Sequence, residues 1–278
     1  MTLPPARLHI ALVHNHQPDR NAYLLPRLEA LSTAFAAALT LVAWQPPLVP
    51  HKLMMRVYRD WRQYRLQLAW SRYRGFGVRA ALGIHRGFAG QLAALARDPA
   101  RRQRLCRIST VETFVTAKHI VAWQAFLDGD ASHLLVCEDD LIFHPDSADR
   151  LRAALTDAAA TPGLRHVDLA GGLAPDRLGI DRLVTARDDG RIHYARAVTN
   201  TACGYLLSRE LAGHFLAILL RRPDLRLLGI DWMLNAMLMQ LRRDGIAVTG
   251  LHHDPPIFGH GTFSGAYTSW MQVALAGD

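Results

Sequence analysis

The run His133-Leu134-Leu135-Val136-Cys137 leads without a break into Glu138-Asp139-Asp140 and then Leu141-Ile142-Phe143. An apolar stretch this short and uniform has no polar face to offer water, so it reads as a strand covered on both sides. Three adjacent carboxylates at its end repel one another unless a cation or a hydrogen-bond network satisfies them. In open α/β sheets the carboxyl ends of strands are where ligands bind. Because side chains alternate along an extended chain, Glu138 and Asp140 are expected on one side and Asp139 on the other. That spacing suits one hard divalent ion, Mg²⁺ or Mn²⁺, bridging carboxylate to the diphosphate of a nucleotide. The competing reading is a cap and charged loop ahead of a helix at Ser147, which requires only one acid.

The remaining pattern alternates. Residues 7–13 read as a first strand feeding the polar loop His14-Asn15-His16-Gln17-Pro18-Asp19, and residues 23–43 as a helix stopped by Pro46-Pro47. Helices are expected at 114–127, 147–159, 209–220 and 231–243, the last ended by Gly245. Strands are expected at 134–137, 166–170, 182–185, 192–195 and 205–207, the middle pair flanking the turn Asp188-Asp189-Gly190. This order predicts an α/β fold with an open, mostly parallel sheet and helices on both faces. With 278 residues, half of them hydrophobic, the chain is long enough for a substantial core and is expected to form a single domain over 1–278. Disorder and collagen-like repetition are excluded. Cys106, Cys137 and Cys203 fit neither a disulfide framework nor a C-x-x-C metal site, which points to a reducing cytosol. Residues 1–10 lack the apolar core of a signal peptide, and the most apolar stretch, 30–44, is too short to span a bilayer.

One segment differs in kind. Residues 51–110 hold thirteen Arg and one Lys against Asp60 and Asp98, so the formal net charge of +8 originates there. Arg56, Arg59, Arg62 and Arg65 recur every third residue beside Tyr58, Trp61 and Tyr64, the pattern of a helix with adjoining cationic and aromatic faces. Such a helix can lie on anionic lipid with its guanidinium groups on phosphates. Alternatively it is a solvated helix whose aromatic rings pack on the core.

Four segments carry a family resemblance. Ala117-Lys118-His119-Ile120-Val121-Ala122-Trp123-Gln124 followed by Leu135-Val136-Cys137-Glu138-Asp139-Asp140 resembles the signature of glycosyltransferase family 25. That family includes lipooligosaccharide β-galactosyltransferases and the related collagen galactosyltransferases. Thr201 to Ser208, Gly229-Ile230-Asp231-Trp232 and Pro255-Pro256-Ile257 are similar to its later motifs, in the same order. The chain departs from the pattern at Lys118, where the family has Ser, and across 51–110, which has no counterpart. The resemblance implies a GT-A-like, Rossmann-type mixed sheet flanked by helices, with the Arg-rich segment as a helical insertion. It also implies a nucleotide-sugar donor, with a UDP-sugar and galactose as family defaults, and a Mn²⁺ or Mg²⁺ cofactor. The acceptor would be a bacterial surface glycan or lipid-linked glycan, met at the inner face of the cytoplasmic membrane.

Within that frame Asp140 and Glu138 are the expected metal ligands, joined by His253 or His260 from a Gly/Pro/His-rich tail, 251–265, read as a loop that folds over the donor. His14, Asn15, Lys118, His119, Asp139, Asn200 and Thr201 are assigned to donor binding. Asp231 is assigned as general base of an inverting transfer, expected at a helix N-cap where backbone N–H groups hold it; the competing reading is a cap alone. Three rivals remain. His14-Asn15-His16-Gln17-Pro18 resembles the first motif of glycoside hydrolase family 57, whose two-carboxylate hydrolases have a barrel that usually needs a longer chain; the Arg-rich helices are compatible with non-catalytic nucleic-acid or anion binding; and a non-catalytic GT-A relative could act as a scaffold. The transferase reading itself expects no nucleic-acid partner.

Overall fold

The computed structural model describes residues 6–43, 49–160 and 163–269. It begins with β1 (Leu8–His14), buried along its whole length, and α1 (Pro18–Ala34). The helix expected over 23–43 ends at Ala34, and Ala36 adopts a left-handed φ of 47°. The chain then returns as β2 (Ala38–Ala43), parallel to β1 in the register His9 to Ala38. Ala-Leu-Thr-Leu-Val-Ala fits helix and strand alike, and pairing with β1 decides between them. Pro46 and Pro47, the expected helix stop, lie outside the described residues.

The basic segment is helical: α2 (Leu53–Tyr73), α3 (Val78–Arg97) and the first part of α4 (Pro99–Asp128), whose N-cap Asp98 accepts a hydrogen bond from the Arg101 amide. Then come β3 (His133–Glu138), β4 (Leu141–Phe143), α5 (Ser147–Ala160) and β5 (Leu164–Asp168). The one-turn α6 (Pro175–Leu178) precedes the hairpin of β6 (Val184–Asp188) and β7 (Arg191–Tyr194). β8 (Gly204–Ser208), α7 (Arg209–Arg221), α8 (Ile230–Arg243), β9 (Val248–His253), β10 (Phe258–His260) and the one-turn α9 (Gly261–Ser264) complete the order.

Eight strands form one sheet in the order β2-β1-β3-β8-β5-β9-β7-β6. The β2-β1-β3 and β5-β9 pairings are parallel, whereas β8 runs antiparallel to both β3 and β5. The sheet is therefore mixed and not mostly parallel, and helices flank it on both faces. Successive residues of β3 serve opposite faces. Leu134 and Val136 pack with Trp123, Phe126, Phe215 and Met237 from α4, α7 and α8, while Leu135 and Cys137 pack with Leu24, Leu28 and Leu151 from α1 and α5. The sheet is open, with β2 and β6 at its edges. Among the described residues, no helix is long and apolar enough to cross a membrane.

The Arg stripe of α2 turns mostly inward. Arg56 donates to Asp60 (2.9 Å) and to the Leu105 carbonyl (2.6 Å), Arg59 to Glu112 and the Leu227 carbonyl, and Arg62 pairs with Asp224. Arg65 stays outside, over the Trp61 ring. Cations at 56, 59 and 62 are thus engaged with protein acids and carbonyls, not presented together to lipid phosphates. Burying them without partners would have been too costly.

Candidate active site

β3 delivers its acids where the sheet ends, and each finds a different partner. Glu138 accepts from His119 Nε2 at 2.9 Å, with the other ring nitrogen of His119 2.8 Å from the Tyr205 hydroxyl. Asp139 is buried and accepts from Arg20 of α1 at 2.7 Å and from the Asn15 amide at 3.2 Å. Asp140 accepts from Thr262 Oγ1 at 2.6 Å and Cys203 Sγ at 3.2 Å, and lies 3.1 Å from His260 Nδ1. The expected division, Glu138 and Asp140 on one side and Asp139 on the other, assumed an extended chain, but the strand ends at Glu138, residues 139–140 turn, and all three acids border one cavity.

A second hairpin makes the Asp140 cluster. β4 and β10 pair antiparallel with His260 opposite Leu141, and the Gly261 amide donates to the Asp140 carbonyl at 2.7 Å. Glycine is required there, because a Cβ on Gly261 would come within 2.8 Å of that carbonyl. The tail expected to be a loop is thus strand over 248–253 and 258–260. Its Gly and Pro content hid both strands from a propensity argument.

A cavity of about 560 Å³ opens over this cluster. Asn15, Glu138, Asp139, Asp140, Asn200 and Thr201 line it from the sheet side, joined by Asp231, His260 and Thr262. His14, Lys118, His119 and His253 do not. Lys118 is 1% exposed and donates from Nζ to the His14 carbonyl (2.8 Å) and to Asn15, so it holds the 14–15 loop from behind the cavity wall. His119, wholly buried, holds Glu138 in the same way. His253 is at the end of β9, on the opposite side of the strand from His252, among Arg150, Arg191 and Asp157. Asn200 is anchored by its amide to Asp168 (2.6 Å) and by its side chain to the Leu173 carbonyl (2.6 Å). Its own carbonyl oxygen is buried without a partner.

Asp231 is at the second position of α8, not at its N-cap, which is Gly229. Its side chain is exposed, opening to the cavity, with protein atoms packed around it. That enclosure raises its pKa to about 7, helped by the charge of Glu138 and opposed by a hydrogen bond from the Ala202 backbone. Glu138 is raised to about 8 by burial and then by Asp140. Asp140 is lowered: burial works against ionisation, but the hydrogen bond and charge of His260, then Thr262 and Cys203, outweigh it. Burial also raises the Asp139 carboxyl, with Arg20 pulling the other way. Asp140 is thus held ionised beside two carboxyls, Glu138 and Asp231, that the same space shifts toward their protonated forms.

Asp140, Cys203 and His260 each offer a ligand atom, all within 4.8 Å of one another. A carboxylate, an imidazole and a thiol together are a donor set that can hold a divalent ion. Cys203 enters the group unforeseen by its sequence context. It is wholly buried, its pKa is pushed well up by burial and by Asp140, and as a thiol it donates to Asp140. Glu138 is outside this close group, held by His119. Arg20 and Thr262 are the other contributors the sequence left unmarked, since a single Arg or Thr on a helix carries no pattern.

No protein-family model matches the chain, and no curated protein matches it. Among solved structures, a crystal structure of a glycosyltransferase involved in the glycosylation of the major capsid of PBCV-1 is similar at 10% sequence identity and a TM-score of 0.39, over 96% of this chain and 97% of that one. The resemblance to glycosyltransferase family 25 therefore rests on the four sequence motifs alone.

Proposed function

We propose that the cleft binds a nucleoside diphosphate sugar and transfers the sugar to a hydroxyl acceptor with inversion. The observation that carries this reading is Asp140 and His260 in contact at the floor of a cavity that Asp231 also faces. A divalent cation, Mn²⁺ or Mg²⁺, would be held by Asp140 and His260 with Glu138 beside them, and it would neutralise charge growing on the leaving diphosphate. Asn15, Asn200 and Thr201 supply neutral hydrogen-bonding groups along the wall for the donor. Lys118 and His119 position Asn15 and Glu138 from behind.

The acceptor oxygen forms its bond to the anomeric carbon as the bond from that carbon to the phosphate oxygen breaks. The acceptor proton passes to the Asp231 carboxylate, and the nucleoside diphosphate leaves with the bonding pair. An acid with a pKa near neutrality, open to the cavity and fixed on the first turn of a helix, suits that role. A uridine donor, galactose, and a surface or lipid-linked glycan acceptor at the inner membrane face follow from the family resemblance, as does a single domain carrying the 51–110 helices as an insertion.

The test is thermal stabilisation by uridine, guanosine and cytidine diphosphates with and without Mn²⁺, followed by a donor-hydrolysis panel. A metal-dependent rise in melting temperature with one nucleotide supports the reading. No stabilisation by any of the three removes it.

A further inference from the structure

A second cavity, of about 600 Å³, lies between α2, α3 and α4, beside the cleft. Two of its cations are engaged with acids and carbonyls, Arg56 by Asp60 and the Leu105 carbonyl, Arg59 by Glu112 and the Leu227 carbonyl, while Arg74 at the rim donates to the Leu178 carbonyl and lies over the Trp70 and Phe76 rings. Between them the lining offers neutral polar groups. Gln63 and Gln67, one turn apart on α2, and Gln91 on α3 are half-buried carboxamides that make no hydrogen bond among the described residues. A carboxamide both donates and accepts, which is the complement of a sugar hydroxyl, whereas an anion would call for cations not otherwise engaged. Tyr64 and Phe88 stack at 4.4 Å and 17°, giving the cavity an aromatic wall against which the C–H face of a pyranose ring can pack. Gly83 and Gly87, one turn apart on α3, border open space, since a Cβ on either would meet nothing within 4 Å.

The two cavities share Trp70, Arg74, Glu112 and Trp232 as a common rim. Trp232 directly follows Asp231, so a chain lying in the second cavity brings its end over that rim to the proposed base. We infer that the cavity between α2, α3 and α4 is a binding site for a neutral, hydroxyl-rich glycan, the acceptor chain behind its reacting sugar. The word acceptor rests on the transfer reading above; the glycan site itself rests on the unpartnered carboxamides, the aromatic wall and the satisfied arginines.

The experiment exposes the full chain to an array of neutral oligosaccharides and of sulfated, phosphorylated and sialylated ones. Wild type is compared with Gly87→Trp, which fills the cavity, and Gly87→Ala, which does not. Expected is retention on neutral oligosaccharides that weakens at least about tenfold in Gly87→Trp and stays within about twofold in Gly87→Ala. If Gly87→Trp melts below wild type, the pair Gln63→Leu with Gln67→Leu makes the same comparison. Uridine diphosphate with Mn²⁺, which reads the other cavity, is measured on every variant by thermal shift. The inference is overturned if wild type retains no neutral glycan, if the filled variant binds as well as wild type, or if retention is confined to anionic glycans and fades with salt. Neutral glycan binding without nucleotide stabilisation would remove the transfer reading and leave the glycan site. Nucleotide stabilisation without glycan binding would do the reverse.

Discussion

His260 Nδ1 lies 3.1 Å from Asp140 Oδ2, joining β10, the last strand among the described residues, to an acid just past the end of β3. The contact exists because β10 pairs with β4 in a register that puts His260 opposite Leu141. If this pair seats the cation, Asp140→Asn lowers Mn²⁺ affinity by at least about tenfold, because the charge is lost while the volume is kept. Isothermal titration with Mn²⁺ and loss of the metal-dependent nucleotide stabilisation are the readouts. Unchanged Mn²⁺ affinity in the variant would exclude this seat.

Asp231→Asn is expected to lower kcat about 10²–10⁴-fold while nucleotide binding stays near wild type, as for the loss of a general base. Steady-state transfer assays and a nucleotide titration on the same preparation measure both. Near wild-type turnover would assign Asp231 to capping alone.

Gly261→Ala forces a Cβ to within 2.8 Å of the Asp140 carbonyl, so backbone at the β4–β10 hairpin must shift. The expected destabilisation is about 1–3 kcal/mol, read as a lower urea midpoint, together with weaker Mn²⁺ binding.

Asp60→Ala leaves the Arg56 guanidinium buried with only the Leu105 carbonyl for partner. Both side chains of the pair are no more than 5% exposed, and the expected loss is about 3–5 kcal/mol. Replacing both, with Arg56→Met and Asp60→Leu, is expected to recover most of it. Chemical denaturation of the single and double variants gives the comparison, and equal losses would mean that the ion pair itself carries the stability.

His253 has its pKa lowered to about 4, by burial first and then by Arg150 and Arg191. Between that value and the 6.5 of the unfolded chain, the unfolded state binds a proton that the folded state does not. Stability therefore falls as pH drops through about 6.5 and levels off near about 4. His253→Asn is expected to narrow the difference between urea midpoints at about pH 7.5 and about pH 5. A pH dependence identical to wild type would show that other groups carry it.

The sequence by itself determined the central strand and its chemistry. An apolar run with no polar face has to be covered on both sides, which places 133–138 in mid-sheet. Three acids following it have to find partners at the sheet's end, as Glu138, Asp139 and Asp140 do. The α/β class was legible for the same reason, since periodicity is a local property. Tertiary structure decided what depends on pairing across the chain. It made 38–43 an edge strand because β1 was there to bind it, and it reversed β8 between β3 and β5, giving a mixed sheet. It brought His260 to Asp140 through the pairing of β10 with β4, and left His253 at the end of another strand among Arg150, Arg191 and Asp157. It also turned Arg56, Arg59 and Arg62 inward, since Asp60, Glu112 and Asp224 stood where those cations could be neutralised. Charge and hydropathy are written residue by residue, but which opposite charge or strand edge lies within reach is settled only when the chain closes on itself.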